Sequence, residues 1–307
     1  MAMIVRDFEA RDAAAVVAVR RAALPFEVVT EASLRFTAER ANPAERYRLL
    51  VAEREGEVVG AANCGLAFES PEPGRAHTTP YVVPGHRRRG VGTALLRAAE
   101  EHLTAHGATE VYCWALEGSG GPEFAARHGY RPARSAHFQS LDLTASPLPE
   151  LPEALPPAVE LHTAAAWQGD PRPLFTADAQ VTADEPSDVG AELDDYEDWL
   201  TRTWRHPLFD RELSTVATVG GEIAAFTAAR TDGRTRYFTG MTGTLRGHRG
   251  RGLARLVKTD SLRRARAAGY TEAFTSNDGA NEPMLAVNRR LGYEVRATEV
   301  RHVRAFG

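Results

Sequence analysis

The sequence predicts an α/β protein built as two consecutive domains of one design. Three observations predict it. A turn of the form Arg-x-x-Gly-x-Gly/Ala occurs twice, from Arg87 to Gly92 and from Arg249 to Ala254, each between an apolar strand and an amphipathic helix. Arg249 follows Arg87 by 162 residues, and a second landmark, Gly129-Tyr130, returns as Gly292-Tyr293 after 163. Register kept within one residue marks a duplicated domain, not a short-repeat array. Between the halves lies a segment with prolines at 147, 149, 152, 156 and 157, which suits neither a helix nor a central strand. The reading is a first domain over 1–145, a linker over 146–157 and a second domain over 158–307.

In the first half, Ile4 to Phe8 is a strand, and Asp12 reads as the N-cap of an alanine-rich helix, Ala13 to Ala22. Thr30 starts a second helix. Leu49 to Ala52 and Val58 to Leu66 form a hairpin about Glu55-Gly56. Thr79 to Val83 feeds the first turn. The helix after it carries Val91, Leu95, Ala99 and Leu103 at four-residue spacing, which buries one face, and Gly107 ends it. Val111 to Ala115 is a strand, Phe124 to His128 a short helix, and His137 to Leu143 a last strand.

The second half repeats the plan. Strands are expected near Val159 to Thr163, Leu213 to Val219, Ile223 to Ala229, Tyr237 to Leu245, Glu272 to Thr275 and Val295 to Val303. Helices are expected near Pro173 to Ala179, Tyr196 to Trp204, after the second turn as far as Gly269, and over Glu282 to Leu291. Gly220-Gly221 is a hairpin signal. Trp199 and Trp204 are expected to pack a helix.

Composition narrows the function classes. Hydrophobic residues make up 43% and charged residues 25%, an ordinary globular balance, and the net charge of -4 gives no argument for nucleic acid. Arginine far outnumbers lysine, and Lys258 is the single lysine, a bias expected of a GC-rich genome. Cys64 and Cys113 sit in strand-like apolar runs and read as buried thiols. His162, His206, His248 and His302 form no ligand-spaced pair, so no metal is inferred. No signal peptide and no run near the ~20 apolar residues of a membrane helix is present, so the expectation is a cytoplasmic protein away from membranes, as a monomer or homodimer.

The repeated turn carries the chemistry. Glycines allow a sharp bend and remove Cβ atoms that would block a close ligand. The freed N–H groups at a helix N-terminus favour a phosphate or pyrophosphate, and arginines add charge and bidentate donors. The pattern is neither a Walker loop, since Gly-Lys-Ser/Thr is missing, nor the three-glycine dinucleotide fingerprint.

The order strand, Arg-x-x-Gly-x-Gly/Ala, helix, strand, short helix, Gly-Tyr resembles the GCN5-related N-acetyltransferase (GNAT) superfamily, in both halves. The resemblance implies a tandem protein with a central, mostly antiparallel mixed sheet flanked by helices in each domain. It implies acetyl-CoA, or another acyl-CoA, with its pyrophosphate on the turn and its pantetheine arm on the preceding strand. That carries cofactor contacts onto Val82, Val83, Arg87, Arg88, Arg89, Gly90, Val91 and Gly92, and onto Thr244, Leu245, Arg249, Gly250, Arg251, Gly252, Leu253 and Ala254. The run from Thr275 to Met284, with Val287-Asn288 and Leu291-Gly292-Tyr293, is similar to a branch rich in actinobacterial members, and places Asn281 against the cofactor arm. Gly118 stands at the equivalent place in the first half, so catalysis is expected in the second domain.

The implied reaction is direct attack of a neutral amine on a thioester, with backbone N–H groups holding the oxyanion. Many family members protonate the leaving thiolate with a tyrosine four residues before the Gly-Tyr pair. Here Asn288 and Ala125 stand there, and neither is an acid, although Asn288 can hydrogen-bond the cofactor. A thiol of pKa ~8.5 leaves without one. Acidic residues Asp184, Glu185, Asp188, Glu192, Asp194, Asp195, Glu197 and Asp198 suit a cationic amine beside the acceptor pocket, or simply a solvated helix face. Glu185 is the candidate base or substrate anchor, and Glu222 reads as a turn residue. The expected function is N-acetyl transfer to a small-molecule amine. A CoA or acyl-CoA sensor and a protein-amine acetyltransferase stand as alternatives.

Overall fold

A computed structural model describes residues 3–145, 147–185 and 189–306. The strands are β1 (Met3–Asp7), β2 (Arg48–Arg54), β3 (Glu57–Leu66), β4 (Arg75–Val82), β5 (Glu110–Leu116), β6 (Arg131–Asp142), β7 (Val159–Thr163), β8 (Phe209–Val219), β9 (Glu222–Thr231), β10 (Arg236–Thr244), β11 (Glu272–Asp278) and β12 (Glu294–Ala305). The helices are α1 (Ala13–Ala23), α2 (Glu31–Arg40), α3 (Val91–Ala105), α4 (Gly121–Arg127), α5 (Arg172–Thr182), α6 (Tyr196–Trp199), α7 (Leu253–Ala267) and α8 (Glu282–Arg290).

The chain forms two compact units that exchange their final strands. Unit 1 comprises Met1–Ala136 and 188–190 together with Ala297–Gly307; unit 2 comprises His137–Ser187 and Ala191–Arg296. The strand order in unit 1 is β1-β2-β3-β4-β5-β12, and β12 pairs antiparallel with β5 from Glu299↔Leu116 to Ala305↔Glu110. The order in unit 2 is β6-β11-β10-β9-β8-β7. The β4/β5 and β10/β11 pairs are parallel, as the sequence order of strand, helix and strand requires.

Local chemistry explains the elements. Thr30 caps α2 by accepting from the Ser33 N–H at 3.1 Å, and Ser33 Oγ returns a bond from Thr30 N–H at 3.0 Å. Asp12 holds the expected N-cap position of α1 but makes no side-chain capping bond. Its carboxylate accepts from Arg6 at 2.6 Å and from the Glu9 N–H at 2.8 Å, so charge pairing wins over the first turn of α1. Val91, Leu95, Leu96, Ala99 and Leu103 bury one face of α3 against β2, β3 and β4. Each buried leucine contributes about 1.5–3 kcal/mol. The opposite sheet face of unit 1 packs on α1 and α2 through Val16, Val19, Leu34, Val51 and Ala61. Trp199 and Trp204 are buried against α5 and β8 in unit 2, as expected of packing residues.

The proline-rich segment is an ordered strap on unit 2. Leu148 is buried with Leu141 and Leu262, Leu151 and Leu155 pack beside Val159, and Arg263 pairs with Glu150 at 2.8 Å. Cys64 and Cys113 are free and buried, and burial pushes both thiols up to about 12.

Candidate functional site

The two Arg/Gly turns have the same backbone. Arg87 and Arg249 both lie at φ -66°, with ψ 158° and 159°. Gly90 and Gly252 are left-handed at φ 84° and 77°, each N-capping the helix that follows. Between them, Gly250 is left-handed at φ 76°, and Arg88 takes the same conformation at φ 63° without glycine's freedom. A Cβ at Gly90 or Gly252 would meet no atom within 4 Å, so backbone conformation, not crowding, demands glycine there. The result is a concave run of N–H groups at the start of a long helix, a ready anion cradle.

Each turn is tied to the strand before it. Arg87 Nε donates to the Val82 carbonyl at 3.3 Å, and Arg249 Nε to the Thr244 carbonyl at 3.1 Å. The N–H groups of Val83 and Leu245 are spent on Val59 and Ala224 in the sheet. Antiparallel alternation therefore turns the N–H groups of Val82 and Thr244 the other way, towards the parallel neighbour. That neighbour departs. β4 and β5 pair only over Arg75–His77 and Glu110–Tyr112, and β10 and β11 only over Arg236–Thr239 and Glu272–Thr275. Val82 and Thr244 thus aim a backbone donor into an opening between strands, the placement an oxyanion needs.

In unit 1 this opening is a cavity of about 540 Å³. Arg87, Arg88, Gly90 and Gly92 line one end, with Leu96, Ala125 and Tyr130 of the α3 and α4 face. Leu24, Tyr81, Trp114 and Glu299 also line it, and Tyr81 belongs to the α1 and α2 face, so the cavity passes through the sheet. His128 lines it too, against Thr93 Oγ1 at 3.2 Å, and burial lowers its pKa. Burial raises the Glu299 carboxyl to about 8, and the Glu27 carboxylate adds to the rise. Glu27 itself is ion-paired to Arg20.

In unit 2 the corresponding residues are polar and close-packed. Asn288 stands where unit 1 has Ala125, Asn277 where it has Ala115, Thr275 where it has Cys113, and Lys258 where it has Leu96. Asn288 is 0% exposed and donates from Nδ2 to Asn277 Oδ1 at 2.7 Å, while its Oδ1 has no partner among the described residues. Lys258 is 1% exposed with no counter-ion among the described residues, only the Tyr293 ring 5.6 Å away, and burial lowers its pKa to about 7. The end of α5 closes over this strand, since a Cβ on Gly243 would lie 2.4 Å from Val181. Asp184, two residues past α5, pairs with both Arg246 and Arg249, and the hydrogen bond from Arg246 followed by that from Arg249 holds its carboxyl down at about 2. The turn's arginines thus already hold an oxyanion in this chain.

The structure brings Thr244, Leu245, Arg249, Gly250, Arg251, Gly252, Leu253 and Ala254 together around one turn, and does the same for Val82, Val83 and Arg87 to Gly92. Asn281 N-caps α8, accepting from the Met284 N–H at 3.2 Å, which leaves its amide nitrogen for another partner. Glu185 is exposed at the end of α5, and Asp188 lies outside the described residues. Two residues escaped the sequence reading. Lys258 was visible as a lone lysine on the core face of α7, a place for an apolar residue. Glu299 had no signal, because only the strand exchange brings it to the unit 1 cavity.

The turns and the cavity fit acetyl-CoA by their cradles, by the anion that Arg246 and Arg249 hold, and by a cavity that spans the sheet. The acetyltransferase (GNAT) family model matches residues 16–130 and again 177–293. A mycothiol acetyltransferase of Streptomyces bingchenggensis is 28% identical over 83% of this chain and 80% of its own. One of Kineococcus radiotolerans is 31% identical over 72% of this chain and 70% of its own. Among solved structures, a tandem GNAT protein from the clavulanic acid biosynthesis pathway superposes with TM-score 0.73 at 24% identity, over 100% of this chain and 99% of that one. A GCN5-related N-acetyltransferase from Sphaerobacter thermophilus gives 0.70 at 23%, over 99% and 95%. At these identities the solved structures speak for the fold alone.

Proposed function

This chain belongs to the acetyltransferase (GNAT) family, and from that premise we propose that it transfers the acetyl group of acetyl-CoA to the amine of a small molecule, with the chemistry in unit 2. The observation that carries the second clause is the buried acceptor of Asn288. An unsatisfied buried polar group costs about 1–3 kcal/mol. Asn288, Asn277 and Lys258 give unit 2 polar groups where its twin has Ala125, Ala115 and Leu96, and this supports a ligand-binding role for them.

The roles follow from position. Arg249, Gly250, Arg251, Gly252, Leu253 and Ala254 hold the pyrophosphate, and Thr244 and Leu245 align the pantetheine arm. Asn281 and Asn288 bond its amides. The cofactor supplies an activated acetyl thioester. The Thr244 N–H is the donor that would stabilise charge on the thioester carbonyl oxygen. Lys258 stands at the counterpart of Leu96, which lines the unit 1 cavity, and would be the proton source where position 288 holds no tyrosine. Glu185, at the margin of the acidic segment, would anchor the acceptor ammonium and take the proton that frees its lone pair for attack. Asp184 leaves the arginines when the pyrophosphate arrives. Val82, Val83, Arg87, Arg88, Arg89, Gly90, Val91 and Gly92 hold acetyl-CoA in unit 1.

The names of the mycothiol acetyltransferase relatives support a small-molecule acceptor. We place the protein in the cytoplasm, as a monomer or homodimer, and read the ancestral repeats as 1–145 and 158–307. No described helix is long and apolar enough to cross a membrane. The test is release of CoA thiol from acetyl-CoA across a panel of amino sugars, aminocyclitols and polyamines, with the acetylated amine identified by mass. CoA binding without thiol release for any amine would overturn the reading.

A further inference from the structure

We propose that the cavity of unit 1 is a second acceptor site, one that takes a primary amine on an apolar or aromatic body, with Glu299 as the anchor and proton acceptor of that amine. Glu299 lines the same cavity as the Arg87–Gly92 turn and the donor strand end at Val82. Tyr81 of β4, Trp114 of β5, and Ala23 and Leu24 at the end of α1 line the same cavity. That wall offers a body-sized apolar surface and one carboxylate.

The carboxylate is uncompensated. Glu299 has no arginine, lysine or histidine partner among the described residues, and the nearest acid, Glu27, is taken by Arg20. Arg301, on the same strand face, is stacked over the Tyr112 and Trp114 rings at 4.6 and 5.9 Å. The titratable groups facing Glu299 are therefore Glu27 from the loop before α2 and Tyr81 from β4, with Arg20 of α1 neutralising Glu27. A half-buried carboxyl without a cation is unfavourable, and a ligand ammonium is the group that would relieve it. The strand exchange matters here. Glu299 is far from unit 1 in sequence, and β12 delivers it opposite Leu116, where β5 has parted from β4.

The chemistry balances. The ammonium pairs with the Glu299 carboxylate on binding. One N–H bond then breaks, an O–H bond forms on Glu299, and the nitrogen keeps its electron pair; in acyl transfer a C–N bond would form as the thioester C–S bond breaks, and the CoA thiolate would leave. The acceptor role rests on the acetyl-transfer reading above; the binding and protonation do not.

The test is calorimetry on the full chain without acyl-CoA, with 2-phenylethylamine as probe at pH 7, in two buffers of different ionisation enthalpy. The expected result is binding that releases about one proton, because pairing ionises a carboxyl that is mostly protonated beforehand. Glu299→Gln should bind at least ~10-fold more weakly with no proton released, and so should the uncharged 2-phenylethanol on the parent chain. Ala23→Arg, which puts a cation in the cavity and leaves Glu299 intact, should weaken the amine by a similar factor. No binding, unchanged affinity in Glu299→Gln, or equal affinity for the alcohol would each overturn the proposal. Since no acyl-CoA is present, an absence of acetyl transfer would count against the preceding reading, and these titrations would judge this one alone.

Discussion

Asn288 donates to Asn277 Oδ1 at 2.7 Å and leaves its own Oδ1 buried with no described partner. The bond joins α8 to β11 and orients the open acceptor. Asn288→Ala should lower kcat/KM for acetyl transfer about 10-fold or more, while changing stability by only about 1 kcal/mol, since one bond is lost and one orphan removed. Steady-state thiol release and a urea melt check the two halves. A stability loss without a kinetic effect would make Asn288 a packing residue.

Asp184 pairs with Arg246 and Arg249 at the second turn, where the proposed pyrophosphate would compete with it. Asp184→Asn should therefore tighten CoA binding to unit 2 by a few-fold, an effect that shrinks at high salt. Calorimetry with CoA at two ionic strengths, on a background of Gly90→Val to silence unit 1, reads it directly. Weaker binding would show that Asp184 positions Arg249 and does not compete with the ligand.

Lys258 has its folded pKa depressed from 10.5 to about 7. The unfolded chain thus binds more protons than the folded one between those values, so this residue makes stability rise with pH across that window and holds its full penalty below pH 7. Lys258→Met should stabilise the protein by about 1–3 kcal/mol at pH 7 and below, and by little above pH 10.5. The same variant should lose turnover. A destabilised Lys258→Met at pH 7 would contradict the assignment.

Glu299 carries the opposite sign. Its folded pKa is raised from 4.5 to about 8, so the folded state binds more protons in that window and stability falls as pH rises through it. Glu299→Gln should match the parent at pH 4 and exceed it at pH 8.5 by on the order of 1–2 kcal/mol, a figure discounted for partial exposure. Thermal melts across pH test it.

Much of the fold was legible because its signals are local. The Arg/Gly turns announce themselves through left-handed glycines at 90 and 252, and the apolar spacing of α3 names its buried face. Thr275, Asn277, Asn281 and Asn288 could be picked out by resemblance. The strand exchange could not, because nothing local to β6 or β12 tells which sheet each joins. Glu299 was lost with it. The closing of unit 2 by Val181 and Asp184 was hidden for a related reason: an acidic run reads as solvated surface until a partner such as Arg246 is placed beside it.

The central claim is acetyl transfer to a polar amine at the second turn. Turnover of acetyl-CoA with the amine panel should be compared in the parent, Gly252→Val and Gly90→Val, each substitution forcing a side chain into a left-handed position. Gly252→Val should lose at least ~100-fold and Gly90→Val should change by no more than a few-fold. Loss in Gly90→Val with Gly252→Val active, or no acetylated amine in any case, would contradict it.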